Sequence, residues 1–421
     1  MLINYRIPGQ WQARYAWSAG HTNDGLTVRY FRRTFTLDQK PDSFIVYVTA
    51  DSRYKLWING LPVGRGPLKG TLAHYHYEAF DINNQLKAGL NVIAAEVRWF
   101  GHDAPVSEVH SARPAFLLQG PSGMDIDTPR GWRVFTDDAV SADKTPYISN
   151  AHKFLGHMEY VDARLYPAGW MTVSYADDHW DLAVDAGPAD VPDNWGEMHP
   201  VQSLYPRDIP QLIELIRRFT HITRYTGSLH QQETDSGLQV KWELAPGEAG
   251  ELVLDAGALT TGYPVFSFTA GMSREIKITY SECVVSIEDR GGYRINHKAV
   301  RDDFTFGDVE GYCDTVILPD DSYIYEPFHW RTFWYVRINV GPGESNFILE
   351  DAAFRFTTYL QERRATFESS IADADKMWDI SWRTLQLCAH ETYEDCPYFE
   401  QLNYVADTRL QAWCSMVLAG E

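Results

Sequence analysis

The chain is poor in cysteine, has no long apolar run and carries too little positive charge for a polyanionic partner. Its five cysteines, Cys283, Cys313, Cys388, Cys396 and Cys414, are scattered over 421 residues without a Cys-x-x-Cys pair. An odd, dispersed set argues against a disulfide framework and against a thiolate zinc site, so free, mostly buried thiols are expected. Lysine and arginine number 37 against 57 acidic residues, a formal net charge of −20. Phosphate recognition needs clustered cations, which argues against nucleic acid as a partner and against docking on an anionic membrane surface. No segment approaches the ~18 apolar residues of a membrane helix. The N-terminus, MLINYRIPGQW, shows no basic start followed by an apolar core. No signal peptide is therefore visible, and localisation stays open between cytoplasmic and, for a trimmed N-terminus, secreted or periplasmic.

What the chain has in plenty is aromatic rings, with 14 Trp, 24 Tyr and 20 Phe. Rings stack on the apolar faces of sugars, but a large β-sandwich core uses them equally, so the excess decides nothing alone. The length allows two or three domains.

From Leu26 to Arg98 the pattern is strand and turn. Val28, Tyr30, Arg32, Thr34 and Thr36 alternate, Phe44 to Val48 is strongly β-favouring, and Leu90 to Val97 is another apolar strand. Asn59-Gly60 after Lys55–Ile58 is a hairpin signal. Gly64-Arg65-Gly66-Pro67 lacks the Gly-Lys-Ser/Thr ending and following helix of a phosphate loop, and no cofactor is expected. His74 and His76 are two apart and share a strand face, which permits a metal pair. No third ligand is evident nearby, so sheet-surface histidines are the preferred reading and no metal centre is expected. Residues 102–225 are less regular, ending in a linker-like Pro206 to Pro210. From Leu229 to Thr358 strands return. Glu251–Asp255 and Val265–Thr269 are separated by a Gly/Thr-rich turn, and Glu275–Tyr280 and Tyr335–Val340 follow, which predicts a second antiparallel sandwich.

The last sixty residues change character. Ser370-Ile371-Ala372-Asp373 reads as a capping box, and Ile371, Ala374, Trp378, Leu385 and Cys388 fall near the helical period up to about Ala389. Pro397 forbids helix at Cys396. Val405, Leu410, Trp413 and Val417 form a second apolar stripe, with Gly420 where a helix would stop. Between the helices lies Tyr393-Glu394-Asp395-Cys396-Pro397-Tyr398-Phe399-Glu400-Gln401-Leu402-Asn403-Tyr404-Val405-Ala406-Asp407. Carboxylates on a loop held between rigid elements are a usual place for catalysis. Tyr398, Phe399 and Tyr404 are expected to surround them with apolar surface, an environment that suits a carboxylic acid to proton donation near neutral pH. The competing reading is a helix-capping acidic loop with aromatics packed beneath it.

This loop resembles the catalytic signature of the α-L-rhamnosidases of glycoside hydrolase family 78, Asp-Cys-Pro-x-Arg-Glu-x-x-Gly-Trp-x-Gly-Asp. Asp395, Cys396, Pro397, Glu400 and Asp407 match in identity and spacing, and Tyr404 stands where the family has Trp. Phe399 replaces the arginine, and Asn403 and Ala406 replace the two glycines. The resemblance implies that Glu400 is the general acid and that Asp395 and Asp407 hold sugar hydroxyls. Arg409 is a candidate for the missing cation.

Trp57-Ile58-Asn59-Gly60 with Asn91-Val92-Ile93 resembles the family's N-terminal jelly-roll module. Glu159–Arg164 with Gly169-Trp170 resembles a stretch closing that module, and Asp177-Asp178-His179-Trp180 an acidic-aromatic turn of the same region. Leu254–Gly257 and Phe328–Val336 resemble the β-domain preceding the family's barrel.

The implied architecture is mainly β: two or more antiparallel, jelly-roll-like β-sandwiches followed by the first helices of an (α/α)6 barrel. The expected domains are residues 1–225 (module plus accessory region), 226–360 (second sandwich) and 361–421 (start of the barrel). The implied activity is inverting removal of terminal α-L-rhamnose from oligosaccharides or glycosides, with the general base beyond residue 421, so that these residues alone would be nearly inactive. A non-catalytic carbohydrate-binding protein and a helical-barrel glycosidase for another sugar remain as alternatives. The sequence leaves the oligomeric state undefined.

Overall fold

In the computed structural model, residues 7, 10–21, 23–108, 113–143, 152–189, 203–270, 273–290, 293–297, 301–305, 307–360 and 362–420 are described. The chain divides into two compact units. The first comprises Met1–Asp138 and Leu165–Gln211, the second Ala139–Arg164 and Leu212–Glu421.

The first unit is built from two six-stranded sheets. One runs Val184–Pro188, Arg14–Trp17, Ala115–Gln119, Ile45–Asp51, Tyr75–Asp81 and Leu204–Pro206. The other runs Asp181–Leu182, Arg133–Asp137, Thr27–Leu37, Gly89–Trp99, Arg53–Ile58 and Leu61–Gly66. Both sheets send side chains into one core, including Phe31, Leu56 and Ile93 from one and Val46, Val48 and Phe116 from the other. This is the sandwich solution to two sheets that each need to bury a face.

The Asn-Gly signal forms the expected hairpin. Asn59 (φ 53°) and Gly60 (φ 83°) are both left-handed, as a two-residue turn between twisted strands demands. The Asn59 side chain also holds a neighbouring strand: its amide nitrogen donates to Asn91 Oδ1 at 2.8 Å, and its oxygen accepts from Val92 N at 2.9 Å. The two short motifs noted in this region are thus one hydrogen-bonded unit. Gly64–Pro67 is no phosphate loop. Its glycines lie in and at the end of a strand, and a Cβ on Gly66 would collide with the buried Glu78 carboxylate. Trp170 and Trp180 are buried, and Asp177 accepts from the buried Arg32 guanidinium at 2.8 Å. The 169–180 stretch is therefore packing.

The second unit centres on one 21-residue strand, Gly250–Ala270. Sequence reading places two strands and a turn here. Instead the chain passes through without reversing, with a break in register between Asp255 and Thr260 and Gly257 at φ 81°. A bulge absorbs the Gly/Thr-rich segment by bending the strand rather than ending it. The two halves then take different neighbours: Gly250–Asp255 pairs with Tyr335–Val340 and with the strand His221–Tyr225, and residues 262–270 pair with residues 348–356. Trp242, Leu252, Phe266, Ile278, Phe333 and Phe347 lie in its core.

This unit takes in two stretches that the sequence reading assigned to the first module. Met158–Asp162 pairs in parallel with Tyr312–Ile317 and antiparallel with Val140–Asp143, and Ile213–Arg218 pairs with Phe347–Thr358. Such pairings join residues far apart in sequence, which local periodicity does not report. The Met158–Asp162 pair, like that of Tyr75–Asp81 with Leu204–Pro206, is also parallel where antiparallel sheet was expected.

Three α-helices occur among the described residues: α1 (His152–Leu155), α2 (Ala374–Leu387) and α3 (Val405–Leu418). The capping box does not form. Asp373 sits at the N-cap in left-handed conformation (φ 61°) without a side-chain cap, and Ile371 lies outside the helix and 73% exposed. The end of α2 does pack: Leu385 and Ala389 meet Leu360, Leu418 and Ala419, with Trp378, Trp382 and Tyr393 around them. The stripe on α3 has the other fate. Val405, Leu410, Trp413 and Val417 are all exposed, and the buried residues of that helix are Ser415 and Leu418.

Candidate active site

The loop between α2 and α3 is pinned to the β-sandwich of its own unit. Pro397 ends any helical continuation, and its carbonyl accepts from Thr332 Oγ1 at 2.6 Å. Tyr398 is buried and donates its hydroxyl to the Tyr280 carbonyl at 2.9 Å, its ring set 5.2 Å from that of Tyr312. Phe399 meets the Tyr398 ring edge-on at 4.9 Å. Tyr398 therefore props the loop from beneath, turned into the sandwich, whereas the sequence reading expected it to surround the carboxylates. A buried aromatic finds more apolar area to cover there than at a solvent-facing acid.

The residue after Glu400 carries the strain of the turn. Gln401 adopts φ 56°, unusual for a residue with a side chain. Such a conformation costs about 1–3 kcal/mol and persists only where its surroundings over-determine it. Here they do: the Gln401 amide donates to the Pro397 carbonyl at 2.9 Å, its oxygen lies 2.8 Å from His329 Nε2, and its backbone N–H donates to the Cys396 carbonyl at 3.1 Å. Asp395 closes the loop from the other side. Its N–H donates to the Leu402 carbonyl at 2.8 Å and its Oδ1 accepts from Leu402 N at 3.2 Å. Asn403 donates to the Tyr393 carbonyl at 3.1 Å.

Glu400 is thereby presented, half-buried, from a rigid turn. Tyr404 donates its hydroxyl to Glu400 Oε2 at 2.6 Å. That bond to a carboxylate pushes the Tyr404 phenol up to about 12. Of the sequence candidates, Glu400 and Tyr404 are joined directly, and Asp395 is spent in part on holding the loop shut. Asp407 and Arg409 are exposed, in the first turns of α3, and neither has a hydrogen bond or ion pair to Glu400 among the described residues. Asp407 sits where the amide-rich start of a helix favours negative charge.

Cys396 is no nucleophile. Burial first, then the bond with Asp395, pushes its thiol up to about 11, so the thiolate is scarce at neutral pH. All five cysteines are free thiols, with Cys283 and Cys388 buried and Cys414 exposed.

Sequence reasoning passed over the supports. Glu394, one of four acids in the loop, is buried and sits with Oε2 3.2 Å from His390 Nδ1. His390 stacks on Trp330 at 4.0 Å, and its Nε2 faces the Thr357 carbonyl at 3.3 Å. His329, Trp330 and Thr332 all belong to the aromatic segment 328–336, which the sequence reading notes only for its resemblance to the family's β-domain. Its Arg331 is buried and bonds Asp314 through two nitrogens at 3.0 and 2.8 Å, with Glu159 at 3.5 Å. The density of aromatic and polar residues in that segment was the one available signal.

Residues 39–202 match the model of the α-L-rhamnosidase N-terminal domain. An α-L-rhamnosidase of Formosa agariphila is 22% identical over 412 residues, covering 94% of this chain. The family 78 rhamnosidase of Bacillus sp. GL1 superposes with a TM-score of 0.77 at 17% identity, over 98% of this chain and 62% of that one. The likeness to solved family 78 rhamnosidases is one of fold. A rhamnosidase of Streptomyces avermitilis, solved with L-rhamnose, superposes with a TM-score of 0.56 at 20% identity, over 90% of this chain and 33% of that one. The chain spans 38% of the length of the Formosa relative. Its β-rich architecture, a sandwich unit and a second β unit ending in a helix pair, is that of the solved rhamnosidases over almost the whole chain.

Proposed function

We propose that the protein carrying this chain removes terminal α-L-rhamnose from glycosides, with Glu400 as general acid. The observation that carries the reading is the presentation of Glu400. It follows Pro397 and precedes the strained Gln401 in a loop fixed at Tyr398, Gln401 and Thr332. With Oε2 engaged by Tyr404, Oε1 is the oxygen left to carry a proton to the glycosidic oxygen. General acids of this kind contribute about 10²–10⁴ in rate. Sugar-holding roles for Asp395, Asp407, Tyr404 and Arg409 are part of the same proposal and rest on the resemblance of the signature.

An inverting mechanism places the second carboxylate ~6.5–9.5 Å from the acid, leaving room for the attacking water. The reading assigns that general base to a carboxylate beyond residue 421. The match of this chain to only 38% of the Formosa rhamnosidase supports the assignment. The sugar is proposed as L-rhamnose on the strength of the named relatives. Phe399, standing where the family signature has arginine, favours as second reading a related sugar that asks for one cation fewer.

The test compares the full polypeptide with its Glu400→Gln variant on α-L-rhamnopyranosides of good and poor leaving groups, and on other aryl glycosides. Loss of an acid matters most when the leaving oxygen needs its proton. The variant deficit is therefore expected to be small for a nitrophenol and to approach the upper range for an alkyl or sugar aglycone. Equal activity of both proteins on the poor leaving group would remove Glu400 from the role. Turnover only of another aryl glycoside would replace the sugar and keep the acid.

A further inference from the structure

The first unit holds a cluster unrelated to the loop at Glu400. Tyr75–Asp81 carries His76, and His74 lies just before the strand, its backbone held by paired hydrogen bonds with Thr71 at 3.0 and 3.2 Å. The neighbouring strand Leu204–Pro206 runs parallel, with Tyr205 opposite His76, and so delivers Asp208 to the same place. One nitrogen from each histidine and one Asp208 oxygen all lie within 4.8 Å of one another.

The chemistry of His76 makes the cluster more than a coincidence. The ring is buried, and its Nδ1 lies 3.3 Å from the Leu68 carbonyl. Donation from Nδ1–H to that carbonyl leaves Nε2 as a bare lone pair. This is the outer hydrogen bond that metal-ligating histidines use to fix their tautomer and orientation. Nε2 itself is buried without a hydrogen-bond partner, an unfavourable arrangement unless something occupies the lone pair. It points towards Asp208, with 3.9 Å between Nε2 and Oδ1. Two ligands of a tetrahedral ion at ~2.1 Å are ~3.4 Å apart, so a small closure brings this pair to coordination distance. His74 stacks on Tyr205 at 3.9 Å, which limits its ring to one plane, and the His74 and His76 rings are 5.2 Å apart. Gly70 allows the close approach, since a Cβ there would stand 2.9 Å from His76 Nδ1. Arg207, beside Asp208 in sequence, is paired with the buried Glu78 at 3.2 Å.

We infer that His74, His76 and Asp208 form a binding site for one divalent transition-metal ion of the zinc class. Two imidazoles and one carboxylate are a ligand set such ions take, with the remaining position open to water. His74 and Asp208 are exposed, so the ion reaches the site from solvent. Bound there, it adds a further tie between the short strand Leu204–Pro206 and its neighbour.

The test uses the full chain, stripped with a chelator and titrated with Co²⁺ while the visible absorption is followed, then with Zn²⁺ to displace it. One equivalent of Co²⁺ with the intense spectrum of a low-coordinate site is expected, displaced by Zn²⁺. Asp208→Asn and His74→Ala change exposed side chains and leave the fold intact, and each is expected to weaken binding by at least about tenfold. Zinc is expected to raise the melting temperature of the parent and not of Asp208→Asn, because a ligand stabilises only the state that binds it. Failure of the parent to bind an equivalent, or undiminished binding in both variants, would overturn the site. None of these readouts depends on glycoside turnover.

Discussion

Tyr398 is the anchor on which the position of Glu400 depends, and its removal has a calculable effect. The side chain is 4% exposed, its ring packs on Tyr312 and Phe399, and its hydroxyl donates to the Tyr280 carbonyl. A buried tyrosine covers about 150–250 Å². At about 25 cal/mol per Å² that is ~4–6 kcal/mol, an upper estimate because the unfolded reference is already partly compact. Measured losses for deleting a buried aromatic ring are about 3–5 kcal/mol, so ~4 is the working value for Tyr398→Ala. Tyr398→Phe loses only the hydrogen bond, about 1 kcal/mol. Both losses fall on the docking of the loop. At 1.4 kcal/mol per decade, opening becomes up to about 10³-fold more frequent in the alanine variant and about fivefold in the phenylalanine variant.

The assay is amide hydrogen exchange read by mass spectrometry on peptides covering 395–402. There the N–H groups of Asp395, Gln401 and Leu402 are protected by bonds that exist only in the docked loop. Faster exchange confined to these peptides, in the order Ala, Phe, parent, is the expected result. Unchanged exchange in Tyr398→Ala would mean that the ring does not hold the loop. Acceleration spread evenly into the strand Arg331–Val340 would mean that Tyr398 stabilises the unit as a whole and not the loop.

Two further outcomes follow from the same region. Arg331→Met leaves Asp314 and Glu159 buried without their cation and is expected to cost about 3–5 kcal/mol, read as a lower urea midpoint for the second unit; a loss under about 1 kcal/mol would contradict the pairing. In Glu400→Gln the Tyr404 phenol loses the carboxylate that raises its pKa to about 12 and is expected to return towards ~10, followed by ring-carbon NMR with Tyr404→Phe as the assignment; a titration identical to the parent would break the assigned hydrogen bond.

Much of this protein is determined by its sequence alone. Alternation at Val28–Thr36 and Glu275–Tyr280 makes strands whatever they pair with, and Asn59-Gly60 makes the hairpin because both residues tolerate positive φ. The helices on either side of Pro397 are likewise local, and so was the prominence of Glu400 between them. Only the tertiary structure decided what each face meets. The stripe of α3 reads as buried and is exposed, because periodicity records a face and not its cover. The long strand Gly250–Ala270 reads as two because a bulge and a turn have the same local composition. Tyr398 reads as apolar cover for the acids and is a foundation, and Glu394, by sequence only one more acid of the loop, is a buried partner of His390. Asp208 joins His74 and His76 only through a parallel strand pair, a relation between distant residues that no local window contains. Local chemistry selects elements through short-range sterics and periodicity, whereas sites are made by contacts whose geometry exists only once the sheets have closed.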